Sequence, residues 1–222
     1  MDTVVFDWDG TLVDTLGALL RANVAVLGEL GIDFDEAAYR RHYAPDWRLM
    51  YARLGIPAER LDEVNERWLR HYGGDEVRPF PGTREALVAL RSAGSRLGLV
   101  TAGHREIVEP QLAATGLGSL LEIAVFGDDL PVHKPDPAPL RHALSGLGAR
   151  RRAESVVYVG DAPDDMRMAR AVGVRAVGIA SILGDPDELR AAGADEVAVS
   201  VAAWVAARRH DSAAAPAPDP AA

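Results

Sequence analysis

The chain contains no cysteine. That absence removes disulfide bridges, thiolate nucleophiles and cysteine-ligated zinc, and it fits a reducing cytoplasm as the expected location. Basic residues are outnumbered, with 24 Lys and Arg against 33 Asp and Glu, for a formal net charge of −9. Without a surface that neutralises phosphates, nucleic acid and anionic membranes are not expected partners. No apolar run approaches the length of a membrane span, and Asp2 and Asp7 interrupt the N-terminal stretch before a secretory signal could form. Six histidines are present, none in the i, i+4 spacing of a helical metal site.

What is there is ordinary globular material. The 222 residues, 48% hydrophobic and 26% charged, are enough for one core or for one domain carrying an insert. After residue 80, short β-branched runs alternate with helical patterns, the signature of an α/β domain with a mainly parallel, Rossmann-like sheet flanked by helices. Strands are expected near 3–8, 96–101, 122–126, 155–160 and 174–179, with a weaker one near 195–199. Helices are expected near 82–93, 104–115, 137–147, 163–172, 185–192 and 200–209, the last with Trp204 facing the core. Residues 14–79 break this rhythm with helical stretches near 15–30, 35–42, 46–54 and 58–72. Leu16, Leu19, Leu20, Asn23, Val24 and Leu27 form the expected inward face of the first of these. The segment from Asp211 onward, rich in Ala and Pro, has too little apolar bulk to pack and is expected to be disordered.

The opening stretch MDTVVFDWDGTLVDT sets three carboxylates, Asp7, Asp9 and Asp14, at the mouth of the first apolar run. Aspartates so placed repel each other in a dry environment and need a metal ion or a basic side chain. Three later stretches repeat the pattern of polar residues just past a strand. They are RLGLVTAGHRE with Thr101, VFGDDLPVHKPDPAPL with Lys134, and SVVYVGDAPDDMRMA with Asp161 and Asp165. Taken singly, each has a bland reading as a helix cap, a solvated lysine or an acidic helix start. In a parallel sheet, however, the carboxyl ends of the strands share one edge, where ligands bind. Aspartates from two strand ends then offer the hard oxygen ligands that Mg²⁺ prefers, beside a lysine and a helix N-terminus suited to phosphate.

The four motifs DWDGTLVDT, TAG, HKPDP and GDAPDD, in that order, resemble those of the haloacid dehalogenase superfamily. Within it, the chain is similar to the phosphoglycolate-phosphatase-like hydrolases, over all but the Ala/Pro tail. The resemblance implies an α/β catalytic core over 1–13 and 80–210 and a helical cap over 14–79, hinged near Leu12–Thr15 and Val77–Gly82. It implies Asp7 as the nucleophile that forms an aspartyl-phosphate, and Asp9 as the acid and then the base. Thr101, Ala102 and Lys134 would bind the phosphoryl oxygens. Mg²⁺ would be held by Asp7, the backbone carbonyl of Asp9, and Asp161, with Asp165 in support. Asp9 favours phosphate-ester chemistry, because dehalogenating relatives lack an aspartate there and phosphonate-cleaving relatives carry alanine. Asp14 is read as a helix cap. His104, Arg105 and Arg48 are candidates near the substrate, and Ala44 stands in YAPDW where relatives often have glycine.

The expected partner is a small phosphate ester and the expected assembly a monomer or homodimer. A phosphomutase of the β-phosphoglucomutase type, or a pyrophosphatase, would use the same core. A signalling receiver is disfavoured because its acidic pair precedes its phosphorylated aspartate. A catalytically dead scaffold is disfavoured because every expected catalytic residue is present.

Overall fold

The computed structural model describes residues 3–73, 77–149 and 155–214. Six strands form one parallel sheet: β1 (Thr3–Phe6), β2 (Arg96–Val100), β3 (Ile123–Val125), β4 (Val156–Gly160), β5 (Arg175–Ile179) and β6 (Glu196–Ala198). Their spatial order is β3-β2-β1-β4-β5-β6, so the direction of winding reverses between β1 and β4. At such a switch point the crossovers leave on opposite faces and open a crevice at the carboxyl edge.

The strands are buried on both sides and alternate cleanly. Val4, Phe6, Leu97, Leu99, Val157 and Val159 face a core shared with α5 (Thr83–Ser92), α6 (Arg105–Thr115) and α10 (Val201–Ala214), where Trp204 is buried as expected. Val5, Val100 and Tyr158 point the other way, onto α7 (Ala138–Gly146), α8 (Pro163–Val172) and α9 (Pro186–Ala192). Each large side chain so buried contributes about 1.5–3 kcal/mol, which pins the register of β1 between β2 and β4. Helix α10 runs on to Ala214, past the expected start of the tail; residues 215–222 lie outside the described residues. No helix among the described residues is long and apolar enough to cross a membrane.

Between β1 and β2 the chain makes α1 (Leu16–Glu29), α2 (Glu36–His42), α3 (Trp47–Arg53) and α4 (Leu61–Tyr72). Asp35 and Asp46 start α2 and α3 by accepting from the amides of Ala38 and Arg48, at 2.7 and 3.0 Å. Helix α1 differs from its expected face. Leu16, Asn23 and Leu27 are buried, but Val24 is 41% exposed, and Ala18, Ala22 and Val26 are buried instead. Ala18 and Ala22 lie under Tyr72 of α4, so the buried arc turns toward a partner helix that periodicity alone does not reveal.

The two chain segments that join these helices to the sheet run side by side. Val13 pairs antiparallel with Pro79, the Phe80 amide donates to the Leu12 carbonyl at 3.1 Å, and the Asp14 amide donates to the Arg78 carbonyl at 2.9 Å. Asp14 does not cap α1: its side chain is exposed, and Thr15 occupies the N-cap position.

Candidate active site

Asp7 leaves the end of β1 with its amide donating to the Val159 carbonyl of β4 at 2.8 Å. This bond sets its side chain beside the β4 terminus, where Gly160 and Asp161 follow. Lys134, from the loop between β3 and α7, donates to Asp7 Oδ1 at 2.5 Å and lies 2.8 Å from Asp165 Oδ1. Asp165 sits in the first turn of α8 and is fixed from two further sides. The Tyr158 hydroxyl donates to its Oδ1 at 2.9 Å and the Ala162 amide to its Oδ2 at 3.1 Å. Asp161 accepts from the Ser181 hydroxyl at 2.6 Å. All four charged side chains are between 1% and 7% exposed.

Two glycines make this crowding possible. Gly10 has φ +72°, and a Cβ there would stand 2.3 Å from Asp161 Oδ2. A Cβ at Gly160 would stand 2.5 Å from the carboxyl carbon of Asp165. Both positions exclude any larger residue while the carboxylates keep their places.

The electrostatics of this cluster suit a cation. Ligand oxygens of Asp7, Asp161 and Asp165 lie within 4.8 Å of one another. Burial pushes the Asp7 carboxyl up to about 7; Asp165 and Asp9 push in the same direction and Lys134 opposes them. Burial, then Asp7 and Asp165, raise Asp161 well above the usual carboxylate range. Burial alone would lower Lys134, but Asp165 and Asp7 more than reverse this and hold it charged. Three buried carboxylates against one ammonium leave two negative charges uncompensated, so the donor set fits a hard divalent ion. The Asp9 carboxylate is outside this group. It accepts from the Thr15 hydroxyl at 2.5 Å, and burial raises its pKa.

Thr101 is buried at the end of β2 and its hydroxyl accepts from the Gly103 amide at 3.0 Å. The Cβ position of Gly103 is 3.3 Å from that hydroxyl and 3.6 Å from Asp9 Oδ2, so Asp9 and the β2 terminus face each other. His104 is the N-cap of α6, and the first turn of that helix opens toward the same space. The expected residues 7, 9, 101, 102, 134, 161 and 165 thus gather at one edge.

Above them lies a cavity of about 140 Å³. Asp7, Asp9, Ala102, Gly103 and His104 line its sheet side, and Leu16, Asn23 and helices α2 to α4 close it from above. The upper wall is aromatic, with Tyr39, Tyr43, Trp47, Tyr51 and Trp68. Its rings pack edge to face, Tyr39 on Tyr43 at 5.8 Å and Trp47 on Tyr51 at 5.7 Å. The Trp47 indole N–H approaches His104 Nε2 at 3.3 Å, which brings the helical wall onto the sheet side.

Two expectations about the cleft are corrected. Arg48 does not line it: the guanidinium is exposed and lies 4.5 Å over the Trp47 ring, a cation–π contact that holds it outside. Arg105 is likewise exposed, paired with Asp129 at 2.7 Å and stacked 4.2 Å over Phe126. His104 does line the cleft. Ala44 is buried in the lining, as part of the wall.

Several contributors escaped sequence reading. Ser181 lies two residues past the end of β5, so a weaker form of the strand-end signal was present. Thr15 closes the DWDGTLVDT motif. The aromatic wall and Asn65 carry no motif, and their facing depends on how the helices pack. Beneath the wall a buried chain of hydrogen bonds runs from Trp8 Nε1 to Gln111 at 2.7 Å, and from Gln111 to the Tyr72 hydroxyl at 2.9 Å.

Comparison with known proteins agrees with this geometry. Residues 4–179 match the model of the haloacid dehalogenase-like hydrolases. The chain is 35% identical over 209 residues to a plasmid-encoded phosphoglycolate phosphatase of Cupriavidus necator, covering 90% of each protein. It is 36% identical over 188 residues to a phosphoglycolate phosphatase of Rhodospirillum rubrum, covering 78% of this chain and 77% of that one. Among solved structures, a hydrolase from Pseudomonas syringae superposes with a TM-score of 0.83 at 25% identity, over 97% of this chain and 100% of that one.

Proposed function

The chain belongs to the haloacid dehalogenase-like hydrolases and is a phosphatase, and from that premise we propose that it hydrolyses small phosphate monoesters with Mg²⁺ through a phosphoryl group carried on Asp7. Asp7 attacks phosphorus in line with the ester oxygen, forming the acyl-phosphate bond as the P–O bond to the alcohol breaks. Asp9, whose pKa burial raises, gives its proton to the departing oxygen. Its carboxylate then takes a proton from a water molecule that attacks the same phosphorus. The acyl-phosphate bond breaks, inorganic phosphate leaves, and Asp7 is restored.

Lys134 and the Thr101 hydroxyl bind phosphoryl oxygens, together with the backbone at Ala102 and the first turn of α6. The residues suited to hold Mg²⁺ are Asp7, the backbone carbonyl of Asp9, and Asp161, with Asp165 in support. Bound there, the ion would offset the negative charge of the nucleophile and the phosphoryl group. Helices α1 to α4 act as the cap that excludes water and meets the leaving group.

The observation that carries this reading is the meeting of Asp7, Asp161, Asp165 and Lys134 directly below the cavity floor. The small cavity supports a compact substrate, of the order of the phosphoglycolate in the relatives' names, since pockets for drug-sized ligands run to ~300–1,000 Å³. It also favours transfer to water over a mutase reaction, in which a sugar and a second phosphate share the site. The test is phosphate release from a panel of small monoesters, with Mg²⁺ and with a chelator. Release should depend on the added ion; equal release in the chelated protein would overturn the proposal.

A further inference from the structure

The cavity wall that meets the leaving group is unusual in what it lacks. Among the described residues that line the cleft there is no lysine and no arginine. Lys134 lies beneath the floor, committed to Asp7 and Asp165. The nearby arginines are engaged elsewhere. Arg40 is bound to Glu188 at 2.6 Å and lies 3.6 Å from Asp185, Arg48 lies over the outside of Trp47, and Arg105 pairs with Asp129. The acidic groups that line the cleft are Asp7, the nucleophile, Asp9, the proton donor beside it, and Glu106. The rest is aromatic or aliphatic surface, with Asn23, Asn65 and His104 as polar side chains, the Nε2 of His104 taking the Trp47 indole N–H at 3.3 Å.

An ester with a second anion would have to place that anion against this wall. It would lose its hydration without gaining a lysine or arginine counter-charge and would face Glu106. A neutral alcohol loses little on entry and gains contact with the rings. We therefore propose that the cleft selects esters of an uncharged, partly apolar alcohol and discriminates against substrates bearing a second anionic group, phosphoglycolate among them. The inference rests on the phosphatase reading above and narrows it by charge.

A matched pair of substrates tests it. Phosphoglycolate and 2-hydroxyethyl phosphate have nearly the same size and differ in carboxylate against hydroxymethyl. The wild-type enzyme should hydrolyse the neutral ester with at least a tenfold higher kcat/KM, the difference residing mainly in KM. Equal or better turnover of phosphoglycolate would overturn the inference and leave the phosphatase reading standing. No turnover of either ester, nor of p-nitrophenyl phosphate, in the Mg²⁺-loaded enzyme would bring down both. Asn65→Lys sets an ammonium into the lining and should move the ratio at least fivefold toward phosphoglycolate. A folded variant with an unchanged ratio would count against the wall as the selector. The wild-type comparison stands without it.

Discussion

On the sheet side of the cleft, Asp7, Lys134, Asp161 and Asp165 are almost wholly buried, and each is held by hydrogen bonds or ion pairs from at least one other element. On the helical side, the same cleft is closed by uncharged rings from α2, α3 and α4, with Tyr39 packed on Tyr43 and Trp47 on Tyr51. The first wall contains groups that repel unless something positive arrives, and its geometry is fixed by a sheet buried on both faces. The second has no such debt and is joined to the sheet through two paired strands of chain. On the reading proposed above, the contrast is a division of labour: fixed, buried charges for the reaction, and neutral surface for the choice of substrate.

The sharpest way to break this division is to remove the nucleophile. Asp7→Asn keeps the shape of the floor and should lower kcat at least about a thousandfold, as loss of a nucleophile does elsewhere. Phosphate release within tenfold of wild type would show that the floor does not carry the chemistry. Asp9→Asn should cost about 10²–10⁴ in kcat, the usual contribution of general acid–base catalysis. The deficit should shrink for esters whose alcohols leave without a proton, such as p-nitrophenyl phosphate. A uniform loss across leaving groups would argue against the acid role.

The next effect is on stability. A divalent ion at a hundredfold excess over its dissociation constant stabilises by about 2.7 kcal/mol, or roughly 5–10 °C in Tm for a chain of this length. Its pH dependence has a definite sign. The Asp7 carboxyl is pushed from 3.8 up to about 7 in the folded, metal-free chain. The native state therefore holds a proton that the unfolded chain has lost, and metal-free stability falls as pH rises from about 4 to about 7. The gain from Mg²⁺ should grow across that same window, which thermal unfolding with and without chelator would reveal. A gain that shrinks with rising pH would contradict it.

The smallest effect belongs to the other wall. Trp47→Ala removes a ring of the lining and its contact with His104, and should lower kcat/KM for a small neutral ester about tenfold, near 1.4 kcal/mol. The Mg²⁺-induced shift in Tm should stay within about a degree of wild type. Loss of that shift would mean that the two walls are not separate in function.

Most of the sheet side was legible in the sequence. Strands that are buried on both faces read as continuous β-branched runs, and a polar residue just past such a run is conspicuous, as Asp7, Thr101 and Asp161 were. Ser181 comes one residue later past β5, after Ala180, and a lone serine draws less notice than an aspartate. The helical side was legible in its elements and not in its facing. Val24 fits the periodic stripe of α1 and is exposed, because the helix turns Ala18 and Ala22 toward Tyr72. Arg48 sits beside the lining Trp47 in sequence and lies outside the cleft, because adjacent residues on a helix point about 100° apart. Thr15 replaced Asp14 at the start of α1 by a shift of one residue, below what composition can resolve.

Since the polypeptide departs from the sheet at Leu12–Asp14 and returns at Arg78–Phe80 through a single doorway, everything between behaves as a cassette. A unit grafted into that slot would have to match the spacing of those ends and also replace the Trp47–His104 and Tyr72–Gln111 contacts that tie the helices to the sheet side.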